Sequence, residues 1–138
     1  MRHALAILTF PTDGARLYDI TGEVAGWLGE TGIDRGVLTL LCQHTSASLL
    51  VTENVSGSVH RDLVRWLAKA APDGGDYEHS AEGPDDMPAH VKAMLTGVTL
   101  TLPVADGRML LGTWQGLFLA EHRRAPHRRS VAVHMLGD

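Results

Sequence analysis

Residues 98–136 read "VTLTLPVADGRMLLGTWQGLFLAEHRRAPHRRSVAVHML". Four apolar, β-branched segments stand out, at 98–104, 108–114, 116–122 and 129–136. Each is bounded by turn residues, the pattern of successive strands. Asp106-Gly107 separates the first two, and Asp-Gly tolerates the positive φ that a tight hairpin needs. Parallel neighbours need a crossover of about a dozen residues or more. Gaps this short therefore predict antiparallel pairing, and they set the fold class for the rest of the chain.

Outward from that block, residues 3–10 ("HALAILTF") are mostly apolar and predict another strand. Residues 36–43 ("GVLTLLCQ") form a continuous apolar run, as a buried strand does. Residues 48–53 ("SLLVTE") predict a further strand, joined to it by the small polar turn "HTSA". Three helices interrupt the strands. Residues 21–31 place Val24, Trp27 and Leu28 on one face, with Thr21 as N-cap and Gly32 at the left-handed C-terminal position. Residues 58–70 place Val59, Leu63, Trp66, Leu67 and Ala70 on one stripe, with Ser58 as N-cap and Pro72 past the end. A short helix over 88–95 opens at Pro88 and closes at Gly97. Residues 73–86 form the longest irregular segment, and a loop of that length is functional or disordered. Helices set apart from runs of strands define an α+β fold with a mostly antiparallel sheet, two main helices and one short helix, in one domain over 1–138.

Composition narrows the function. The chain has 138 residues, 44% hydrophobic, and a net charge of −4. That balance leaves no electrostatic footprint for nucleic acid. No apolar run reaches the length of a membrane span. The N-terminal stretch "MRHALAILTFPTDG" lacks a full apolar core and a small-residue cleavage site, so it does not read as a signal peptide. Cys42 is the only cysteine, which suits a reducing cytoplasm. The unusual number is eight histidines: His3, His44, His60, His79, His90, His122, His127 and His134.

Three polar clusters break the apolar pattern. "QHTSAS" (43–48) puts His44, Thr45 and Ser46 at the end of a buried strand; a turn capped by hydroxyls explains it equally well. If strands 36–43 and 48–53 pair as a hairpin, Glu53 and Asn54 face the same rim. "EHSAEGPDDMPAH" (78–90) holds His79 and His90 on either side of an acidic loop stiffened by Gly83-Pro84 and Pro88. Zinc takes three or four N, O or S ligands, with one position open in catalytic sites. His44, His79 and His90 could supply such a set, with Glu82 or water as a fourth ligand. "LGTWQGLFLAEHRRAPHRR" (111–129) puts Thr113, Trp114 and Gln115 at a strand break between two glycines. They form either a ligand wall or a β-bulge with the indole in the core. The arginines near Pro126, Arg124 among them, form either an anion clamp or a solvated turn.

Taken together, "QHTSASL", "TEN", "EGPDDMPAH" with Lys92, "LTG" and "LGTWQG" followed by "EHR" resemble the YjbQ family, small bacterial and archaeal proteins associated with a secondary thiamine-phosphate synthase activity. The resemblance runs nearly end to end. It implies an α+β homotrimer with pockets near subunit contacts and a histidine-bound divalent metal, zinc. The motif histidines fall on His44, His79 and His90; the motif acids and amides fall on Glu53, Asn54, Gln115 and Glu121. Family members often carry an Asp where this chain has Ser56.

Three functions stay open at this point. One is a metal-dependent, pyrophosphate-displacing transferase of the thiamine-phosphate synthase kind, with Lys92 or Arg124 neutralising diphosphate charge. A second is a metal-dependent hydrolase of a small phosphorylated metabolite, with Glu121 or Glu82 as base. The third is a trimer that binds a metabolite without turnover. In each, Thr45, Ser46, Asn54, Thr113 and Trp114 would contact the ligand, and in the first two Glu53, Gln115 and Glu121 would serve the chemistry.

Overall fold

A computed structural model describes all residues 1–138. In chain order, β1 (Arg2–Asp13) and β2 (Arg16–Asp19) precede α1 (Thr21–Thr31), and β3 (Gly36–Cys42) and β4 (Ala47–Glu53) follow it. Then come α2 (Gly57–Ala70) and α3 (Asp86–Thr96). The chain closes with β5 (Thr99–Ala105), β6 (Arg108–Met109), β7 (Gln115–Glu121) and β8 (Pro126–Gly137). Every strand pairing is antiparallel, as the C-terminal block predicts. Asp106 and Gly107, at φ 54° and 69°, turn β5 into β6, so the predicted hairpin forms.

The strands build two sheets, in the orders β1-β8-β3-β5-β6 and β2-β7-β4. Between them lies the core. Leu38, Leu40, Val131, Val133 and Met135 come from the larger sheet, Leu49, Leu117 and Leu119 from the smaller, and Val24 and Leu28 from α1. The outward face of the larger sheet carries Leu5, Ile7, Val37, Leu41 and Leu136, all substantially exposed. No helix is long and apolar enough to cross a membrane.

Several expectations change. The strands on either side of "HTSA" are not a hairpin: both edges of β3 are occupied, by β5 and β8, so the chain crosses to the other sheet before β4 begins. Glu53 and Asn54 therefore sit at the far end of β4 from His44. β2 lies in a stretch that the sequence pattern left unassigned. β6 spans two residues, because Leu110–Trp114 leave the sheet before β7. α3 starts at Asp86, two residues ahead of Pro88; a first-turn residue has no intrahelical N–H bond to lose, so proline is tolerated there. The inward face of α2 is also rotated. Trp66 is 63% exposed, whereas His60 packs edge-on against Phe118, 4.7 Å between ring centres. His60 Nε2–H also donates to the Glu53 carbonyl at 2.5 Å, a bond that helical periodicity cannot foresee.

Candidate metal centre

The start of α3 holds a carboxylate in the interior. Asp86 is 2% exposed. Its Oδ1 accepts from Arg123 Nη1 at 2.7 Å. Its Oδ2 accepts from His79 Nε2 at 2.7 Å and lies 3.4 Å from His90 Nε2. Burial pushes the Asp86 pKa up, but the His79 hydrogen bond and the His90 and Arg123 charges outweigh it and hold the carboxyl below its usual range. Asp86 and His90 are one helical turn apart, the spacing at which side chains meet.

His90 is oriented from its other nitrogen. The Thr45 backbone carbonyl can only accept, so His90 Nδ1–H donates to it, at 2.9 Å. That turns Nε2 toward Asp86 and His79. A metal-binding imidazole is commonly held this way, by a carbonyl on its remote N–H. One ligand atom each from His79, Asp86 and His90 lies within 4.8 Å of the others.

Arg123 organises the loop beneath. Its Nε reaches Asp85 Oδ2 at 3.2 Å, and its Nη2 reaches the Glu82 carbonyl at 2.9 Å. Gly83, at φ +109°, makes the turn that lets one guanidinium serve three residues of this loop. Burial would raise the Asp85 pKa, but the Arg124 backbone N–H and Arg123 hold it low. Two imidazoles and a carboxylate are the donor set of catalytic zinc and of other first-row divalent metals. The preset His90 ring and the ionised Asp86 fit such an ion.

The expected third imidazole is elsewhere. His44 Nε2 accepts the Ser130 backbone N–H at 2.8 Å, so that lone pair is spent. Its Nδ1 lies 3.4 Å from Arg129 Nη1. Burial, then the Arg129 charge, lowers the His44 pKa. His44 therefore stands apart from the cluster, which His79, Asp86 and His90 form. His44 instead lines a groove of about 370 Å³ with Thr45, His90 and Met94. On the other side, Tyr77, Glu78, His79 and Met87 line an open groove of about 500 Å³.

The remaining candidates divide. Glu121 is closed in, accepting from Thr12 Oγ1 (2.6 Å), Arg129 Nε (2.7 Å), Arg129 Nη2 (2.5 Å), and the backbone of His122 (3.0 Å) and Arg123 (3.1 Å). No lone pair is left for a catalytic base. Ser46 Oγ accepts from the same Arg129 at 2.9 Å. Glu53 and Gln115 face each other at one end of the β4–β7 pair, and Ala47 and Glu121 at the other. Six residues of strand put about 20 Å between those ends. There, Gln115 Oε1 accepts the Gly112 N–H at 2.8 Å, Asn54 Nδ2 donates to the Gln115 carbonyl at 3.1 Å, and Glu53 Oε2 accepts Val55 and Ser56 N–H at 3.0 and 2.8 Å. Within one chain these residues tie turns together, away from the histidine cluster. Thr113 and Trp114 are exposed beside them, the indole at 65%, so it is no core residue. Lys92 is nearly buried and Arg124 pairs with Asp73, both on the opposite side of α3 from His90.

Asp86 and Arg123 are the residues the sequence reading missed. The available signal was Asp86 at i−4 from His90, readable only once the helix is known to start at Asp86.

Two antiparallel sheets with three helices, carrying a histidine–carboxylate cluster at the sheet rim, define a class of small α+β proteins. Within it, the family model "UPF0047 protein YjbQ-like" matches residues 6–138. The chain belongs to the YjbQ/UPF0047 family. A UPF0047 protein of Synechocystis is 43% identical over 96% of this chain and 90% of its own length. YjbQ of Escherichia coli O157:H7 is 40% identical over 95% of this chain and 96% of its own. A crystal structure of a YjbQ/UPF0047-family protein from Clostridium acetobutylicum superposes with a TM-score of 0.88 at 33% identity, covering 95% of this chain and 99% of that one.

Proposed function

We propose that this protein is a metal-dependent enzyme acting on a small phosphorylated metabolite, with a divalent cation, zinc, held by His79, Asp86 and His90. The observation that carries the proposal is the convergence of the three ligand atoms, with His90 preset by Thr45 and Asp86 anchored by Arg123. Such a cation polarises a phosphoryl or carbonyl oxygen and acidifies water. Asp86 holds a negative charge against it, and Arg123 keeps that carboxylate from turning away. The grooves on either side are wide enough for a metabolite. Glu78, exposed and without a partner in the chain, lies in the His79 groove and is placed to take a proton from an attacking water.

Hydrolysis fits this geometry better than pyrophosphate displacement. Diphosphates are usually activated by magnesium on hard oxygen ligands, whereas two imidazoles favour softer ions. No unpaired cationic side chain stands beside the cluster either, since Arg123 is committed to Asp85, Asp86 and the Glu82 carbonyl. The transfer reading rests on the motif resemblance, and the same assay decides between the two.

A homotrimer in the cytoplasm belongs to the same proposal. The exposed apolar face of the larger sheet supports association between copies, and the buried, free Cys42 suits a reducing setting. Purified protein should contain about one zinc per chain and release phosphate from members of a phosphomonoester panel. Light scattering should give three chains. Zinc retained by His79→Ala and Asp86→Asn would overturn the metal centre. Thiamine phosphate formed from a pyrimidine diphosphate and a thiazole phosphate would replace hydrolysis by transfer. Ligand affinity without turnover would leave a binding protein.

A further inference from the structure

The side of α3 facing away from the metal cluster carries its own polar pair. Lys92 is two residues beyond His90, about 200° around the helix. It is 8% exposed, and His122, beside it, is 5% exposed. Both line a cavity of about 260 Å³ whose walls include Ala15, Val64 and Ala68, with the Arg124–Asp73 ion pair and Asp85 at its polar side.

The hydrogen-bond directions around His122 are determined. Thr96 Oγ1–H donates to the Lys92 carbonyl at 2.8 Å, because a carbonyl cannot donate. Thr96 Oγ1 therefore accepts from Ser48 Oγ–H at 2.5 Å. Ser48 Oγ in turn accepts from His122 Nε2–H at 2.8 Å. The ring is neutral: burial, with the Lys92 charge second, lowers its pKa to about 4. Nδ1 then bears a lone pair. Neither His122 Nδ1 nor Lys92 Nζ has a partner in the chain, yet no fully buried side-chain N or O atom of the molecule lacks one. Both atoms therefore keep some exposure, and both residues line this cavity and an adjoining void of about 20 Å³. An unpartnered donor and acceptor on nine-tenths-buried side chains are costly unless something meets them.

Charge on the wall cancels. Arg124 is matched by Asp73, and Lys92 by the nearby carboxylate of Asp85. A carboxylate or a phosphomonoester dianion could meet Lys92 but would confront the His122 lone pair. A group that accepts at one atom and donates from its neighbour satisfies both. We propose that this cavity is a binding site for a small uncharged molecule with an amide or lactam edge, its carbonyl accepting from Lys92 Nζ and its N–H donating to His122 Nδ1. The site is independent of the metal reading, since neither residue belongs to that cluster. Its volume holds far more than the single water that the adjoining void of about 20 Å³, lined by the same Lys92 and His122 with Leu67 and Glu121, accommodates.

The test uses the full chain after chelation, so that the proposed metal plays no part. Pyrrolidinone, a simple lactam, is titrated against acetate and methyl phosphate, the latter as its dianion, while the histidine ring nitrogens are followed by NMR. The lactam should bind in the millimolar range and move the His122 Nδ1 signal; the anions should not. Lys92→Met and His122→Phe should each weaken lactam binding about tenfold or more, the loss of one hydrogen bond to a charged or buried partner. Lys92→Met keeps length and apolar contact, so it decides the matter if His122→Phe does not fold. A His122 signal moved by methyl phosphate but not by lactam overturns the proposal. So does undiminished lactam binding by Lys92→Met, or a lactam-soaked crystal holding only ordered water between the two side chains.

Discussion

Asp86 and Glu121 are two carboxylates with the same 2% exposure. Each is held in the ionised form against a burial penalty that alone would raise its pKa. Their partners separate them. Glu121 is gripped by Arg129, whose charge is permanent, by Thr12 and by two backbone N–H groups, which cannot leave. Asp86 has one oxygen on Arg123 and the other between two imidazoles, side chains of a type that ligates metal ions. A buried charge with immovable donors ties β1, β7 and β8 together. A buried charge between two imidazoles is the one arrangement of the pair that the proposed metal could share. Burial and a depressed pKa alone do not distinguish scaffold from site; the identity of the donors does.

The largest expected difference is in stability. Glu121→Gln leaves Arg129 charged, buried and without its anion, and breaking a buried pair in this way costs about 3–5 kcal/mol. Asp86→Asn keeps a neutral oxygen for Arg123 and should cost less, while removing the proposed anionic metal ligand. Denaturant unfolding and metal analysis on both variants give a crossed result: Glu121→Gln unstable but metal-binding, Asp86→Asn folded but metal-poor. Equal behaviour in both measurements would remove the distinction between the two acids.

Acid should then probe a third buried group. The folded-state pKa of His122 lies at about 4, below the ordinary histidine value near 6.5. Between those values the unfolded chain binds more protons than the folded one, so stability falls as pH drops from about 6.5 to about 4. The full span corresponds to about 3 kcal/mol. The carboxylates act lower: with depressed folded pKa values, the stability from Asp86 and Glu121 is present above the unfolded carboxylate pKa and is lost only as pH falls through the folded one. Chemical denaturation as a function of pH resolves the two ranges. His122→Phe should flatten the upper limb and leave the lower; an unchanged upper limb would mean that His122 is not the group responsible.

The comparison also explains what could be read from the sequence. The strands of 98–136 and the helix of 21–31, with Gly32 ending it at φ 68°, were legible because periodicity and turn chemistry are local. His79 and His90 were legible as ligand types. The place of His44 was not legible, because its Nε2 accepts the N–H of Ser130, 86 residues away. Asp86 was overlooked because its role depends on Arg123, 37 residues away, and on a helix that starts ahead of its proline. Glu53, Gln115 and Glu121 share one ladder and read as one site, but a strand has two ends.

Arg123 sharpens the contrast on a smaller scale. It touches no proposed substrate, yet it fixes the Asp86 carboxylate. Removing such a support commonly costs 10–100-fold in metal affinity. Arg123→Ala should fall in that range. Arg123→Lys should not restore binding, since one ammonium cannot serve Asp85, Asp86 and the Glu82 carbonyl at once. Competition with a chelator of known affinity gives the number. Parental affinity in Arg123→Ala would show that Asp86 needs no anchor.

The smallest effect belongs to the far end of β7. Gln115 gives one side-chain hydrogen bond to the Gly112 N–H, at 2.8 Å, in an exposed turn. Its partner stays accessible to water when the amide is removed, so Gln115→Ala should cost about 1 kcal/mol or less. Metal affinity should not change, because about 20 Å of strand separates the two ends. The alternative is that Gln115, with Trp114 exposed beside it, completes the site of a neighbouring copy in the proposed trimer. In that case Gln115→Ala would lower turnover at parental melting temperature and metal content, and dilution below the dissociation constant of the trimer would abolish activity in the parent as well. Measuring melting temperature, metal content and concentration-dependent turnover on this one variant separates a turn held by its own amide from a residue contributed across a subunit contact.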